Sequence, residues 1–512
     1  MSTPMFLSTT LPYVNGNPHL GHAFEYVQAD AYARHARRRG DDVLLVSGTD
    51  ENSLRNVQAA RADGLAVGEL VARRARTFED LLGTLSARPD RFVRTGADPV
   101  HAAGAAELWN RIAARGDLYA RDYEGMYCDG CEQFRTADEL PGGRCPVHKR
   151  APVRVTERNY FFRLSRYRDA LVAALTDGRI TITPASRAQE ALAVLSGGLD
   201  DISVSRSARR AEGWGIPVPG DPDQVMYVWF DALTSYVNAV GGPVEVDRGA
   251  RHWNDPARRV HLLGKDVLRF HAIYWPAMLL SAGLPLPSQL VVHGHITAAG
   301  QKISKTAGNG PDVAGLITRY GADPLRFYLL ADFSPWADTD FTETRLTACY
   351  NTDFANGLGN LVNRVTTLLH RHRGGVVPGP GTPGTPEYAL AAATRTAAGG
   401  VRDALDRFDH RQAVAHIRAL SRRTDACLSE RAPWHLATAG TESSDRLFDA
   451  VLHTVTGALD QLTRLIEPIV PGSAAAMAAA LGRPAGGAAG SELTGRLVAR
   501  PAVLFPRLEV YP

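Results

Sequence analysis

The segment Leu11-Pro12-Tyr13-Val14-Asn15-Gly16-Asn17-Pro18-His19-Leu20-Gly21-His22 joins the apolar run Met5-Phe6-Leu7 to an alanine-rich stretch, Ala23 to Arg39. The apolar run predicts a buried first strand, and the later stretch has apolar residues at helical spacing. His19 and His22 therefore lie in a strand-to-helix turn, where backbone amides and the helix dipole favour phosphate. Gly21 leaves room for a nucleotide to approach the backbone. Alone, this His-x-x-His spacing is also typical of surface histidine pairs and of metal sites.

Lysine is rare in this chain, which has only four lysines among its 57 Lys and Arg residues. Three of them lie in two short segments, Gly264-Lys265-Asp266 and Lys302-Ile303-Ser304-Lys305-Thr306. Lysine is a compact mobile charge, whereas arginine is a rigid fork, so the retained lysines indicate sites that arginine cannot serve. A doubled lysine after Gly294 and Gly300 suits a mobile loop that meets a developing pyrophosphate charge. The alternative is a solvated surface loop.

The composition is that of an ordinary soluble globular protein of 512 residues, long enough for two or three domains. The longest apolar stretches, such as 272–280, are too short to span a bilayer. No basic segment precedes Met5, so we expect no signal peptide, a cytoplasmic location and no membrane partner. The net charge is only +3, so nucleic-acid binding would depend on local basic faces.

A cysteine cluster interrupts the first half of the chain. Cys128-x2-Cys131 is followed, after thirteen residues, by Cys145-x2-His148. Two chelating pairs on tight turns predict a closed tetrahedral Cys₃His site for one structural Zn²⁺. The alternative, a disulfide with a third thiol, is disfavoured in the cytosol. Cys349 and Cys427 stand alone and are expected to fill apolar space.

The order of these signals predicts an α/β fold: a doubly wound parallel, Rossmann-type sheet with a zinc-knuckle insertion, followed by an all-α bundle. The first half of the sheet is expected in residues 1–115 and the insertion in 116–225. The second half, with the lysine loop, is expected in 226–310. A connector over 311–350 and a helical domain over 351–512 complete the predicted organisation.

Individual elements follow from shorter patterns. A strand at 43–46 ends before Asp50, at a carboxyl end of the sheet where ligands bind. The sheet is expected to resume with strands at 226–230 and 261–263. Helices are predicted at 352–370, 387–406, 411–428 and 445–467, with a Gly/Pro-rich surface loop at 374–386.

Together the histidine and lysine segments resemble the HIGH and KMSKS signatures of class I aminoacyl-tRNA synthetases. Further ordered matches, which run from about Phe6 to Trp434, narrow the resemblance to the methionyl-tRNA synthetase family. They are Gly48-Thr49-Asp50-Glu51, Tyr127-Cys128, Asn159 to Phe162, Asp201 to Arg206, Tyr227 to Ala232, Gly264 to Asp266, Phe270 to Trp275 and Gly357 to Asn360.

The resemblance implies a site for ATP, with its Mg²⁺, and for methionine. The catalytic residues would be His19, His22, Lys302 and Lys305, with Gly21 and Ser304 as further ATP contacts. Asp50 would hold the substrate ammonium group, and an aromatic cage would select the thioether, a weak acceptor. The methionine contacts implied are Leu11, Tyr13, Glu25, Asp50, Trp229, Ala232, Tyr236, Asp266, Phe270, His271 and Trp275.

The third implied substrate is tRNA(Met). Asn360, Arg364 and Trp434 match the family's anticodon-reading residues, and recognition of a single-stranded loop by stacking suits an exposed indole. The alternative is a packed tryptophan with an Asn–Arg surface pair. The protein is expected to be a monomer.

The chain departs from the family at Asn52-Ser53, where His-Gly is usual, and at 186–190. Asparagine loses the titration and metal affinity of histidine, and serine loses the backbone freedom of glycine. These departures keep open a second hypothesis, a paralogue that uses aminoacyl-adenylate chemistry without tRNA in secondary metabolism. A third hypothesis, a tRNA-binding regulatory module, is disfavoured by the intact Lys302 and Lys305 pair.

Overall fold

The computed structural model describes residues 3–128, 133–135, 137–146, 149–298, 300–303, 310–483 and 492–509. Within these ranges, no helix is both long and apolar enough to cross a membrane. Strands and helices of the described residues are numbered along the chain.

A six-stranded parallel sheet forms the centre of the first 293 residues. In spatial order its strands are β3 (Arg91–Arg94), β2 (Asp42–Thr49), β1 (Pro4–Ser8), β12 (Arg258–Gly264), β13 (Gln289–His293) and β7 (Thr181–Thr183). Each neighbouring pair is parallel. Along the chain, strands are added outward from β1 to β3, and the later strands β12 and β13 are added on the other side of β1. The topological switch point therefore lies between β1 and β12. This topology confirms the predicted doubly wound fold, in which ligands bind beside such a switch point.

The described helices divide into those around the sheet and those that follow it. The first group is α1 (Leu20–Arg38), α2 (Leu54–Asp63), α3 (Val67–Thr84), α4 (Pro99–Ala114), α5 (Arg168–Thr176), α6 (Ala185–Ser196), α7 (Val228–Asn238), α8 (Pro243–Asp247) and α9 (Trp275–Ala282). The second is α10 (Val313–Tyr320), α11 (Ala322–Asp332), α12 (Glu343–Tyr350), α13 (Asn360–Arg373), α14 (Thr385–Asp406), α15 (His410–Arg431), α16 (Pro433–Leu436), α17 (Glu442–Ile466) and α18 (Pro471–Ala480).

The sheet separates two hydrophobic cores. Because successive residues of a strand face opposite sides, β1 contributes to both. Met5 and Leu7 belong to a core that continues through α1 into the C-terminal helices. Phe6 belongs to the second core, together with Trp109 and Trp275. Both faces are thus covered, as a parallel sheet requires.

Two small antiparallel sheets lie in the predicted insertion. The first has the order β5 (Gln133–Arg135), β4 (Leu118–Cys128), β6 (Val153–Phe162) and β8 (Ile202–Ser203), and the second β10 (Pro217–Val218), β11 (Asp221–Met226) and β9 (Ser205–Ser207). The insertion is not wholly separate, since its strand β7 forms an edge of the parallel sheet.

The predicted strand at 226–230 is wrong. Strand β11 ends at Met226 in an antiparallel sheet, and helix α7 begins at Val228. All of α7 except Trp229 is buried, so its sequence has the continuous apolar character that also describes a buried strand. Periodicity alone does not separate the two.

The four predicted C-terminal helices are confirmed as α13, α14, α15 and α17. A π-helical stretch, Asn351–Gly359, precedes α13. The predicted Gly/Pro-rich break is also confirmed, because Gly374 ends α13 with a φ of 61° and α14 starts only at Thr385. Between the two halves of the protein lies a third small sheet of β15 (Gln301–Lys302), β14 (Ile296–Ala298) and β16 (Thr339–Asp340).

Candidate active site

The histidine pair forms the start of α1. His19 is the N-cap, and its Nδ1 accepts a hydrogen bond from the Gly21 amide at 3.1 Å. His22 Nδ1 accepts from the His19 amide at 2.9 Å, and the two rings stack with centroids 3.7 Å apart. A Cβ at residue 21 would lie 2.9 Å from the His19 ring, so glycine permits this stack. The predicted strand-to-helix turn is confirmed, and both imidazoles lie at a helix N-terminus, a position that favours phosphate.

An aromatic wall lies beside this turn. Trp229 stacks on Phe270 with ring centroids 3.7 Å apart and an angle of 10° between planes. Tyr13 meets Trp229 edge-on at 6.2 Å. Leu11 packs against the same core, and Ala232 is buried in α7. Trp229 lies in the first turn of α7 rather than at the end of a strand, and Phe270 opens a π-helical turn, Phe270–Tyr274. Such turns are frequent at functional sites.

The polar end of the pocket is a phenol and an imidazole. Tyr236 Oη lies 2.7 Å from His271 Nε2, and His271 Nδ1 lies 3.0 Å from the Val267 carbonyl oxygen. Nδ1 therefore carries the proton and donates it to the carbonyl, while Nε2 accepts from the phenol. Burial lowers the pKa of His271 to about 4 and raises the pKa of Tyr236. Trp275 closes this end, 6.0 Å from the Tyr236 ring.

Two buried carboxylates lie near the carboxyl ends of the central strands. Asp50 is 1% exposed and pairs with Tyr13 in a parallel bridge, with its amide donating to the Pro12 carbonyl at 2.9 Å. Glu25 accepts from the Thr10 amide at 2.6 Å, and its second oxygen lies 2.9 Å from His293 Nε2. Burial alone would lower the pKa of His293, but the hydrogen bond and charge of Glu25 raise it overall.

His293 was not predicted from the sequence. It ends β13, which is paired with β12, and the pattern Val292-His293-Gly294 after an apolar strand was the available signal. Asp266 lies on the same edge, with its Oδ1 3.2 Å from His295 Nε2.

The lysine segment is only partly within the described residues. Lys302 lies in β15, which pairs antiparallel with β14, and Ile303 is buried. Ser304 and Lys305 lie outside the described residues. Lys265, the lysine of the other segment, forms an ion pair with Asp338 at 2.8 Å.

The predicted anticodon residues lie in the helical region. Asn360 and Arg364 are one turn apart on α13, and Arg364 donates to Asp425 at 2.6 Å. Trp434 lies in α16, and 43% of its surface is exposed. The exposed indole agrees with the sequence analysis, whereas its role in binding tRNA stays a prediction.

Half of the predicted zinc ligands are described. Cys128, at the end of β4, and Cys145 are buried together with Leu140 in a small cluster of their own. Cys131 and His148 lie outside the described residues. Among the side chains that are described, no group of three or more His, Cys, Asp or Glu residues could hold a metal. The shared burial of Cys128 and Cys145 fits a chelating role.

The parallel sheet, with its histidine-capped first helix and the lysine segment beyond β13, is that of a class I aminoacyl-tRNA synthetase. A sequence model of the family described as tRNA synthetases class I (M) matches residues 5–154 and 136–366. The methionine–tRNA ligase of Mycobacterium tuberculosis strain ATCC 25618 / H37Rv is 36% identical, over 99% of this chain and 98% of the relative. That of Rhizobium meliloti is 35% identical over the same shares.

Solved structures agree with the sequences. M. tuberculosis methionyl-tRNA synthetase in complex with methionyl-adenylate has a TM-score of 0.94 at 36% identity, covering 99% of this chain and 100% of that one. Its apo form has a TM-score of 0.87 at 32% identity. The chain belongs to the methionyl-tRNA synthetase family.

Proposed function

We propose that this protein is a methionine–tRNA ligase. The methionine carboxylate attacks the α-phosphorus of ATP, pyrophosphate leaves, and methionyl-adenylate forms. A terminal ribose hydroxyl of tRNA(Met) then attacks the activated carbonyl, and AMP leaves. The observation that carries the proposal is the aromatic pocket with a phenol and an imidazole, adjoining a helix N-terminus suited to phosphate.

The predicted nucleotide contacts have two roles in this proposal. His19, Gly21 and His22 would bind the nucleotide at the start of α1, and Lys302, Ser304 and Lys305 would neutralise the departing pyrophosphate. Mg²⁺ would enter with ATP and screen the phosphate charge.

The amino acid would bind between two walls of a pocket: the segment that carries Asp50 and the aromatic wall of Trp229 and Phe270. Asp50 would hold the ammonium group, and the stacked rings of Trp229 and Phe270 would cover the thioether. The Tyr236–His271 pair suits a weakly polar thioether, because the phenol hydrogen is donated to His271 Nε2 and the imidazole remains neutral, so that no charge faces the sulfur. Glu25 would act indirectly, because its carboxylate binds the Thr10 amide and His293 and so holds both residues in place.

A structural zinc ion fits the knuckle. Cys128 and Cys145 share one buried cluster, and with Cys131 and His148 they would complete a Cys₃His set. The metal would stabilise a small fold that has little core of its own. Recognition of tRNA(Met) would use Asn360, Arg364 and Trp434. We further propose that the protein acts as a monomer in the cytoplasm, where its substrates are found.

The test is amino-acid-dependent ATP–pyrophosphate exchange across the common amino acids, followed by charging of a tRNA(Met) transcript. Exchange with methionine and formation of methionyl-tRNA are expected. Exchange without charging would contradict the ligase function and support the tRNA-independent paralogue instead. Exchange only with another amino acid would contradict the methionine pocket.

A further inference from the structure

Asn52 and Ser53, which form one of the two departures from the family pattern, both make hydrogen bonds in the structure. Ser53 is the N-cap of α2, and its Oγ accepts from the Arg55 amide at 3.0 Å. Its backbone is extended, with φ −79° and ψ 140°, so this position does not require glycine. Asn52 is 9% exposed, and its Nδ2 donates to Asp231 Oδ2 at 2.6 Å and to the Thr95 carbonyl at 3.1 Å. Both amide hydrogens are thus used.

The acceptor of the shorter bond, Asp231, is fully buried in the first turn of α7. Its other oxygen, Oδ1, contacts Nε2 of His101, which is also fully buried. His101 Nδ1 lies 3.1 Å from Asn238 Nδ2. With Nε2 as donor and Nδ1 as acceptor, each oxygen of the Asp231 carboxylate receives one hydrogen bond. His101 lies on α4, which packs beside α7. Asn52 lies on neither helix, so its bond ties a third segment of the chain to the Asp231 carboxylate.

This bond joins the two walls of the amino-acid pocket. Asn52 is two residues beyond Asp50, whereas Asp231 lies between Trp229 and Ala232 along the chain. Glu51, which lies between Asp50 and Asn52, is held by Asn56 Nδ2, which donates to its carbonyl at 2.9 Å, and by Thr95 Oγ1, which accepts from its amide at 2.9 Å. Trp214 Nε1 donates to the same carbonyl at 2.7 Å. None of these three bonds reaches α7, so the bond from Asn52 to Asp231 links this segment directly to that helix. A buried hydrogen bond between rigid elements is costly to break, because the carboxylate left behind has no water to replace its donor.

We infer that Asn52 is a positioning residue for the amino-acid substrate, setting the distance between Asp50 and the Trp229 wall through Asp231. The inference rests on the proposed function. Asp50 would bind the ammonium group and Trp229 the side chain, so a change in their separation alters methionine affinity. The nucleotide contacts at His19 and His22 belong to a different segment and keep their geometry.

The test is a double-mutant cycle on the two side chains. N52D turns a donor into an acceptor that faces the Asp231 carboxylate, and the methionine KM in ATP–pyrophosphate exchange should rise about tenfold or more. The ATP KM should stay within about twofold, because the substitution displaces amino-acid contacts and leaves the nucleotide contacts in place. In the double variant N52D/D231N the donor and acceptor exchange places, and His101 donates to the new amide oxygen. The bond from residue 52 to the Thr95 carbonyl is not restored, so the methionine KM should return partway from its N52D value towards that of the unaltered protein.

Two further variants separate positioning from a loss of folding. N52A removes the donor without adding charge and should raise the methionine KM in the same direction, even if N52D folds poorly. N351D is the matched control, since Asn351 also donates a part-buried amide hydrogen, to the Leu508 carbonyl at 2.8 Å, in the helical region. It should leave the methionine KM unchanged.

The outcomes are distinguishable. If the unaltered protein shows no methionine-dependent exchange, the proposed function fails. If it does, and N52D and N52A keep the methionine KM, or lower kcat and thermal stability without rescue by D231N, the positioning role is overturned.

Discussion

At the scale of single residues, burial sets the charge state of several histidines. The pKa values of His271 and His410 are lowered to about 4, and that of His261 well below its usual value, in each case chiefly by burial. His293 is the exception, since Glu25 raises its pKa. The aromatic pocket therefore holds an imidazole that remains neutral throughout the physiological range.

These shifts predict acid sensitivity with a definite sign. Between pH 6.5 and about 4 the unfolded chain binds protons that the buried rings of the folded protein do not, so the free energy of unfolding falls as the pH falls through this window. Over the whole of this window, the shifts of His271 and of His410 each lower the free energy of unfolding by about 3 kcal/mol. His293 acts in the opposite direction, because its stabilising contribution is present below its unfolded pKa and lost as the pH rises.

The measurement is chemical denaturation from about pH 7.5 to about pH 5.5, repeated for H410N. His410 donates to the Leu330 carbonyl at 2.6 Å, and asparagine can keep a donor there without titrating. The variant should lose less stability over this pH range than the unaltered protein. If H410N loses as much stability as the unaltered protein over this range, the titration of His410 does not cause the pH dependence.

The retained lysines give a second prediction at this scale. Lys305→Ala should slow adenylate formation about 10²–10³-fold in single turnover, the usual cost of losing a donor to a developing oxyanion. Methionine affinity should barely change. R402A, which removes an exposed cation from α14, is the control and should not alter the rate. A K305A rate within about threefold of the unaltered rate would contradict the role of the loop.

At the scale of elements, the pocket depends on helices that short patterns describe poorly. Trp229 lies on a helix buried on nearly all sides, and Phe270 and His271 lie in a π-helical turn. The sequence nevertheless indicated these residues as a set, because the aromatic types and their order match the family. Their contacts, such as the 3.7 Å stack of Trp229 on Phe270, come only from the packing of α7 against the turn.

The knuckle carries the prediction for an element that has almost no core. Its described buried cluster consists of Cys128, Leu140 and Cys145, too little apolar surface to stabilise a fold without a further constraint. Elemental analysis should find one zinc ion per chain. C145S should lose the metal, whereas C427S, at a buried cysteine in α15, should retain it. Full zinc content in C145S would exclude the Cys₃His assignment.

At the scale of the whole molecule, α1 connects the nucleotide end of the site to the helical bundle. Its N-terminus carries His19 and His22, and two turns on, Asp30 binds the fully buried Arg326 at 2.7 Å. Arg326 also donates to the Ile469 carbonyl at 2.8 Å. Tyr32 Oη donates to the Phe408 carbonyl at 2.5 Å, in the turn between α14 and α15. The two halves of the protein are thus joined by buried polar contacts as well as by a shared apolar core.

Of the predicted tRNA contacts, Trp434 lies in α16, directly after the C-terminal end of α15, whereas Asn360 and Arg364 lie on α13. Trp434→Ala should reduce kcat/KM for charging tRNA(Met) about tenfold or more, because stacking on an unpaired base contributes roughly 1–3 kcal/mol. Pyrophosphate exchange without tRNA should be unchanged. L497A removes a side chain that is 63% exposed in the C-terminal segment and should not affect charging. Equal charging by W434A would remove Trp434 from the anticodon site.

The sequence alone determined the fold class, the start of α1, the C-terminal helices and the family. These follow from local signals: the apolar run at 5–7, the histidine turn, the helical periodicity and the order of motifs. Each signal acts over a few residues, so it can be read without knowing what packs against it.

Only the tertiary structure decided how distant segments meet. In the structure, α7 lies where a strand was expected at 226–230, and β7 forms an edge of the parallel sheet. Glu25 pairs with His293, and Asn52 donates to Asp231. Each of these depends on partners separated by more than one hundred residues or on the choice between a buried helix and a buried strand, and that choice is made by the surrounding core. The asparagine that looked like a loss in the sequence is a buried donor between two walls of the pocket, because α7 brings a carboxylate to meet it.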